Sequence, residues 1–390
     1  VKRSPIVVVF VTVFIDLLGF GIVIPLLPFY AERFGATAFT VGMLATSFSL
    51  MQFVFAPIWG RLSDRVGRRP IILLGLVGSC LSYLAFGLVR TLPALFAARI
   101  FAGIAGANIP TAQAVMADLT TPENRAKGMG LFGAAFGLGF IFGPAIGGFL
   151  SRYGYPAPAF FASGLSLVNF VAALFVLPET LKPENRAIER VGRIEAFRDA
   201  IARPHLPLLL LIGFLTVGAF SSFESTFALF SEHAHGFTSS TIGYFFALVG
   251  VVMVIVQGFL VHRVVKSLGE HHVVPASLAL VAVGLLMIPA ARSVAALLVA
   301  SVVMSVGMGF NGPTLMSLIS RYSSAEDQGG VMGLTQSLNS LARIAGPIWG
   351  GFAFDRLGMG VPYVSAAVVM AIASAISIHA LWKARLSASA

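Results

Sequence analysis

The sequence predicts an all-α membrane protein, with twelve transmembrane helices arranged as two pseudo-symmetric halves of six. Three observations carry this. The 390-residue chain is 57% apolar and 11% charged, against roughly 25% charged in soluble globular domains, and its mean hydropathy is +0.90. It divides into apolar windows close to the roughly 20 residues that cross a bilayer as a helix, at 6–30, 40–60, 70–89, 93–117, 126–150 and 156–177, then 206–230, 240–261, 273–290, 294–319, 328–352 and 361–382. It also repeats itself: Asn108, Pro110 and Thr111 recur as Asn311, Pro313 and Thr314, Glu123 as Glu326, and GPAIGG at Gly143 as GPIWGG at Gly346, each displaced by 203 residues.

The first window is too long for a signal-peptide core and has no small-residue cleavage site, so it reads as a retained span. An even number of spans puts both termini on one side. Of the 26 Lys and Arg, 19 fall on that side, five on the other, and Arg99 and Arg343 inside spans. By the positive-inside rule both termini are expected in the cytoplasm. The net charge of +10 follows from those basic loops, so it does not point to nucleic acid. The polar stretch between the halves gives the expected division: a first bundle over 1–177, a cytoplasmic linker over 178–204 and a second bundle over 205–390. In the linker Ile188, Val191, Ile194 and Phe197 recur at helical spacing, which predicts an amphipathic surface helix.

A charge at the bilayer centre costs at least ~2.5–3.5 kcal/mol, so the intramembrane charges are the candidate functional groups. Asp16 lies in span one within IDLLGFGIVIPLLPFY. Low dielectric biases an acid towards its neutral form and a nearby cation biases it back, which makes Asp16 a candidate proton carrier. The alternative is a permanent ion pair with Arg99 of span four. Arginine does not deprotonate in proteins, so Arg99 is a fixed counter-charge. Glu224 of span seven reads either as a second proton or cation site or as a hydrated carboxylate at the cavity mouth. Arg343 of span eleven has no acid near it in sequence, and Glu224 is its candidate partner. Gln52, Asn108, Gln113, Asn311, Gln336 and Asn339 are neutral polar groups within spans, and Phe223 belongs to a Phe-rich stretch with Phe220 and Phe227. With Arg343 they form the candidate substrate-binding set, whose apolar character suits amphipathic or aromatic compounds.

The charged segment GRLSDRVGRR, Gly60 to Arg69, cannot lie in hydrocarbon and is expected to be a short loop at the membrane surface. Asp64 is expected to face a helix N-terminus and Arg68 to reach Asp118 at the end of span four. The matching region of the second half, Arg263 to Gly269, has Lys266 where an acid is needed, which predicts asymmetry at this site. In span five Gly143 and Pro144 predict a kinked, closely packed contact.

These motifs resemble the major facilitator superfamily. Gly60, Asp64, Arg65, Gly67, Arg68 and Arg69 fill the loop signature between its second and third spans. Arg99, Gly103 and Gly106 are similar to its fourth-span signature. Gly139, Gly143, Pro144, Gly147 and Gly148 resemble the fifth-span signature of its antiporters. Asp16, Gly19, Gly21, Pro25 and Pro28 resemble the first-span signature of the twelve-span drug:proton antiporters, above all the tetracycline efflux group. The resemblance implies proton coupling through Asp16 and Arg99. It also implies a cytoplasmic gate formed by the loop residues with Asp118, Gly143 and Pro144, and a bacterial inner (plasma) membrane location. Unlike that group, spans three and nine carry no acid, and span three offers Ser79, Ser82 and Tyr83. This weighs against a chelated, cationic tetracycline as substrate.

The function expected is therefore proton-coupled export of amphipathic drug-like compounds by alternating access. The alternative is a symporter or facilitator for a small metabolite or lipid. The expected partners are the substrate, protons and lipid, with no nucleic acid, no cofactor beyond the proton gradient, and a monomeric chain. His233 with His235 and His271 with His272 lack the rest of a metal-ligand set, and no nucleophile–base constellation suggests an enzyme.

Overall fold

The structure is a computed structural model that describes residues 5–120, 125–181, 198, 203, 205–323 and 328–388. Among these residues there is no strand. Twelve helices follow in order. α1 runs Pro5–Val23 and continues through a 3-10 turn, Ile24–Leu26, into Leu27–Glu32. α2 is Ala38–Val66, α3 Arg68–Leu88, and α4 is in two pieces, Leu92–Ala105 and Ile109–Asp118. α5 is Arg125–Leu150, α6 Pro156–Val176 and α7 Leu206–His235. α8 comprises Ser239–Ile255, a π-helical turn Val256–Leu260 and Val261–Leu268. α9 is Glu270–Ala290, α10 Val294–Arg321, α11 Gln328–Leu357 and α12 Val361–Ala388. Among the described residues, ten helices are long and apolar enough to cross a membrane.

The chain forms two compact units. The first is Val1–Thr37, Leu44–Glu189 and Gly236–Leu248; the second is Ala38–Met43, Arg190–His235 and Val249–Ala390. The core of the first gathers Val9, Val13 and Leu17 of α1 with Ile72 and Leu76 of α3, Val115 and Met116 of α4, and Ala173 of α6. Large apolar side chains such as Val168, Phe175 and Phe259 stand exposed, as helices facing lipid require. The expected surface helix of the linker lies almost entirely outside the described residues.

Small residues set the closest helix approaches. A Cβ at Gly143 of α5 would stand 2.6 Å from the carbonyl carbon of Gly21 in α1. Its repeat mate Gly346 of α11 would meet the carbonyl oxygen of Gly218 in α7 most closely, and the Cβ of Ser221 at 3.1 Å. Hydrocarbon offers no hydrophobic drive between helices, so such backbone approach supplies van der Waals contact.

Two expectations need correction. GRLSDRVGRR is helical almost throughout: α2 runs to Val66 and α3 starts at Arg68, so Gly67 alone makes the turn. Charge excludes this segment from hydrocarbon but does not stop a helix, and Gly67 at φ 116° adopts a backbone that other residues avoid. The second is narrower: the segment Arg263 to Gly269 is asymmetric with the first half as expected, but Glu270, one residue beyond it, brings an acid to the site.

Candidate functional site

Asp16 is half-buried on α1. It accepts a hydrogen bond from Ser79 Oγ of α3 at 3.0 Å. One turn along α3, Tyr83 lies against Gly19, where a Cβ would be 3.0 Å from the Tyr83 ring. The glycine therefore makes room for the phenol beside the acid. Tyr83 is within electrostatic reach of both Asp16 and Arg99. Arg99 is buried on α4 with its guanidinium 4.4 Å from the centre of the Phe48 ring, a desolvated cation–π contact. A small cavity with about 20 Å³ of room opens beside the acid, and Thr12, Asp16 and Asn108 supply its polar side chains.

Asn108 stands at the break in α4. Pro110 has no N–H to give Gly106 O, and that carbonyl instead accepts from Gln52 Nε2 of α2 at 3.1 Å. Two residues earlier, Ile104 O accepts from Trp59 Nε1 at 2.8 Å. Gln52, expected at a substrate site, thus helps to satisfy the broken helix. Gln113 is half-buried on the second piece of α4.

At the α2–α3 turn, Arg68 is buried on the first turn of α3. Its guanidinium pairs with Asp64, donates to Ser63 Oγ at 2.8 Å and reaches Asp118 Oδ2 at 3.4 Å. Ser63 in turn donates to Gly60 O at 2.7 Å. Arg65 is exposed, and Arg69 donates to Leu174 O of α6 at 2.6 Å. The α3 N-terminus is taken by Glu179, which accepts from Arg68 N at 2.9 Å and Arg69 N at 3.2 Å. Asp64 was expected at a helix N-terminus, but the helix end beside it holds Glu179 while Asp64 meets the Arg68 side chain. Partial burial pushes the Glu179 carboxyl up, but backbone N–H donors from Leu181, Arg68, Arg69 and Thr180 outweigh it and hold the group below its ordinary value. Glu179 was read only as part of the linker. The signal available was its place three residues after a span, within reach of the arginine-rich turn.

In the second unit Glu270, the first residue of α9, accepts from Arg321 of α10 at 2.7 Å and from Ser317. Glu270 follows the turn glycine Gly269 as Arg68 follows Gly67, so the second half has an acid where the first has the arginine, and Lys266 stands where the first has Asp64. Glu224 and Arg343 are both half-buried and within electrostatic reach of one another. Arg343 Nε also approaches Asn339 O at 3.5 Å. Asn311 is buried and donates to Thr216 of α7 at 3.2 Å. Phe223 is buried in an aromatic cluster, 4.7 Å from Phe227 and 6.4 Å from Tyr363 between ring centres. Gln336 is exposed and Asn339 half-buried on α11. Gly143 and Pro144 are buried at the α1 contact. Among the described residues, no three His, Cys, Asp or Glu converge as a metal site.

The model of the Major Facilitator Superfamily matches residues 9–271 and 258–389. The chain belongs to this superfamily. Over 385 residues it is 34% identical to multidrug resistance protein 1 of Bacillus subtilis, covering 98% of this chain and 97% of that protein. It is 31% identical over 350 residues to the class B tetracycline resistance protein of Escherichia coli, covering 86% and 84%. Among solved structures, the human organic anion transporter MFSD10 superposes with a TM-score of 0.75 at 30% identity, covering 96% of this chain and 99% of that one.

Proposed function

We propose that this superfamily member exports amphipathic drug-like compounds in exchange for protons by alternating access, with Asp16 as the proton carrier and Arg99 as its fixed counter-charge. The observation that carries the reading is Asp16 itself, an acid midway along α1 that is bonded to Ser79 and lies within reach of Tyr83, which also feels Arg99. The multidrug and tetracycline resistance relatives, similar over most of this chain, support export as the direction. In this scheme a proton entering from outside neutralises Asp16 and favours release of substrate, and proton loss inside resets the carrier. Arg68, Asp64, Asp118 and Glu179 form the cytoplasmic gate, and Glu224 with Arg343 serves the second unit. The protein works as a monomer in a bacterial inner membrane with both termini in the cytoplasm, and it needs no cofactor beyond the proton gradient.

The test is transport in proteoliposomes with an imposed proton gradient and a panel of dyes and antibiotics, comparing wild type with Asp16→Asn. Uphill export by the mutant at the wild-type level removes Asp16 from the mechanism. A second reading takes the deep arginine Arg343, together with the similarity to a structure described as an organic anion transporter, as favouring an anionic substrate. Anionic and cationic dyes of matched size in the same assay separate the two.

A further inference from the structure

We propose that the cavity inside the first unit is a water-binding site through which Asp16 exchanges its proton with the end of the bundle marked by the α2–α3 turn. The inference rests on the reading of Asp16 as proton carrier and adds the route the proton takes. The cavity has about 20 Å³ of room, and a single water needs ~10–15 Å³ by the same kind of measure, together with two to four polar partners. Asp16, Asn108 and Thr12 line it and can supply such partners. A purely apolar void of this size would stay dry. This one has a carboxylate in its wall.

Its position gives the direction of travel. The lining runs from Leu17 back to Val9 along α1 and includes Leu177, the residue after α6. From Asp16 to Val9 is two helical turns, or ~10 Å along the axis, towards the end where α6 gives way to Glu179. Asn108 and Ile109, which open the second piece of α4, also line the cavity.

Among the described residues, Tyr83 of α3 is a titratable group within electrostatic reach of Asp16, and Tyr83 is itself within reach of Arg99 of α4. α6 contains no Asp, Glu, Lys, Arg or His, and α5 carries only Arg125 and Lys127, three turns or more from Gly139, which packs on Leu17. The step is a relay. The Asp16 O–H bond breaks as the water oxygen takes its proton, and one of the water's own O–H bonds breaks as a proton passes on to solvent. The carboxylate and an intact water remain. Every residue named belongs to the first unit, so the proton needs no group from the second.

Ala112 is buried in the cavity wall. Ala112→Leu should fill the space, whereas Ala112→Ser keeps it open and adds a hydroxyl. In proteoliposomes, Ala112→Leu is expected to lose proton-driven uphill export by about tenfold or more while substrate counterflow at equal pH persists, and Ala112→Ser should retain both. The direct measurement is infrared spectroscopy of the protonated Asp16 carboxyl band after a switch from H2O to D2O, assigned by its loss in Asp16→Asn. Slower exchange in Ala112→Leu than in Ala112→Ser supports the route. Equal exchange overturns it, even if Ala112→Leu transports poorly because its packing is damaged. Wild-type uphill export by Asp16→Asn would instead overturn the underlying reading of Asp16.

Discussion

At the α2–α3 turn, a buried arginine on the first turn of α3 meets an exposed aspartate at the end of α4. In the second unit a buried glutamate on the first turn of α9 meets an exposed arginine at the end of α10. Asp118 and Arg321 are repeat mates, since 118 plus 203 is 321. The tie between third and fourth helices is thus kept while its polarity is reversed. Helix dipoles show what the reversal does. An acid at a helix N-terminus and a base at a C-terminus are both favourable, and the reverse arrangement is not. Glu270–Arg321 runs with its dipoles, whereas Arg68–Asp118 runs against them, and Glu179 brings a carboxylate to the α3 N-terminus that offsets the opposition. The first-unit pair depends on a group delivered from beyond α6 and suits a switch; the second-unit pair is self-sufficient and suits a fixed brace.

The largest expected difference between the units is in coupling. Asp16→Asn should reduce uphill export by about a hundredfold or more, while Glu224→Gln retains proton-driven transport, as the rate effects of proton-transfer groups allow. Measuring pH-gradient-driven transport on both variants checks this, and equal losses would erase the functional distinction. At the next level, Arg68→Ala should destabilise by about 2–3 kcal/mol in denaturant unfolding, because it strips a buried cation from two carboxylates that are themselves partly hydrated. Arg321→Ala removes a side chain that is 69% exposed but leaves Glu270 buried, with Ser317 and the α9 N-terminus still facing it, so it should cost about 1–2 kcal/mol. The double variant Arg68→Glu/Asp118→Arg copies the second unit's polarity. Because Asp64 and Glu179 then face an acid at position 68, it should stay less thermally stable than wild type and transport poorly, and wild-type stability and transport would sink the idea that the first unit's polarity is set by its carboxylates.

Gly143→Ala and Gly346→Ala should each cost about 1–3 kcal/mol from overpacking, and thermal melts showing only one of them sensitive would mean the repeated glycine contact is not equivalent in the two units. Trp59→Phe should cost about 1 kcal/mol by leaving Ile104 O unpaired, with no counterpart effect at position 262. The smallest effect is at Glu179. Its carboxyl is held below its ordinary value, so its contribution is present at neutral pH and is lost as pH falls through the lowered folded value. Glu179→Gln should abolish that acid-limb dependence in a pH series of melting temperatures.

The twelve spans and the duplication were legible because apolar length and a fixed 203-residue offset survive without any knowledge of contacts. The breaks were not. NIP occurs at 108–110 and NGP at 311–313, yet α4 breaks and α10 does not. The difference lies across the interface with the second helix of each half. Gln52 and Trp59 take up the freed carbonyls in the first half, and their repeat mates are Ile255 and His262. Asp16 stood out as a charge in hydrocarbon, but its contacts with Ser79 and the cavity at Asn108 depend on how helices pack. Glu270 escaped because it lies one residue beyond the second-half segment matched to the loop signature, and Glu179 because it lies more than a hundred residues from that signature, in the polar stretch after span six. Arg68 with Asp118 was legible because both ends were charged and the signature fixed their order.

The turn at Gly67 bears on how the chain is made. α2 and α3 are 29 and 21 residues long with one residue between them, so the two form a hairpin whose tip has no slack. Arg61, Arg65, Arg68 and Arg69 cluster at that tip, and such a concentration of positive charge resists translocation and biases which way a hairpin points as it inserts.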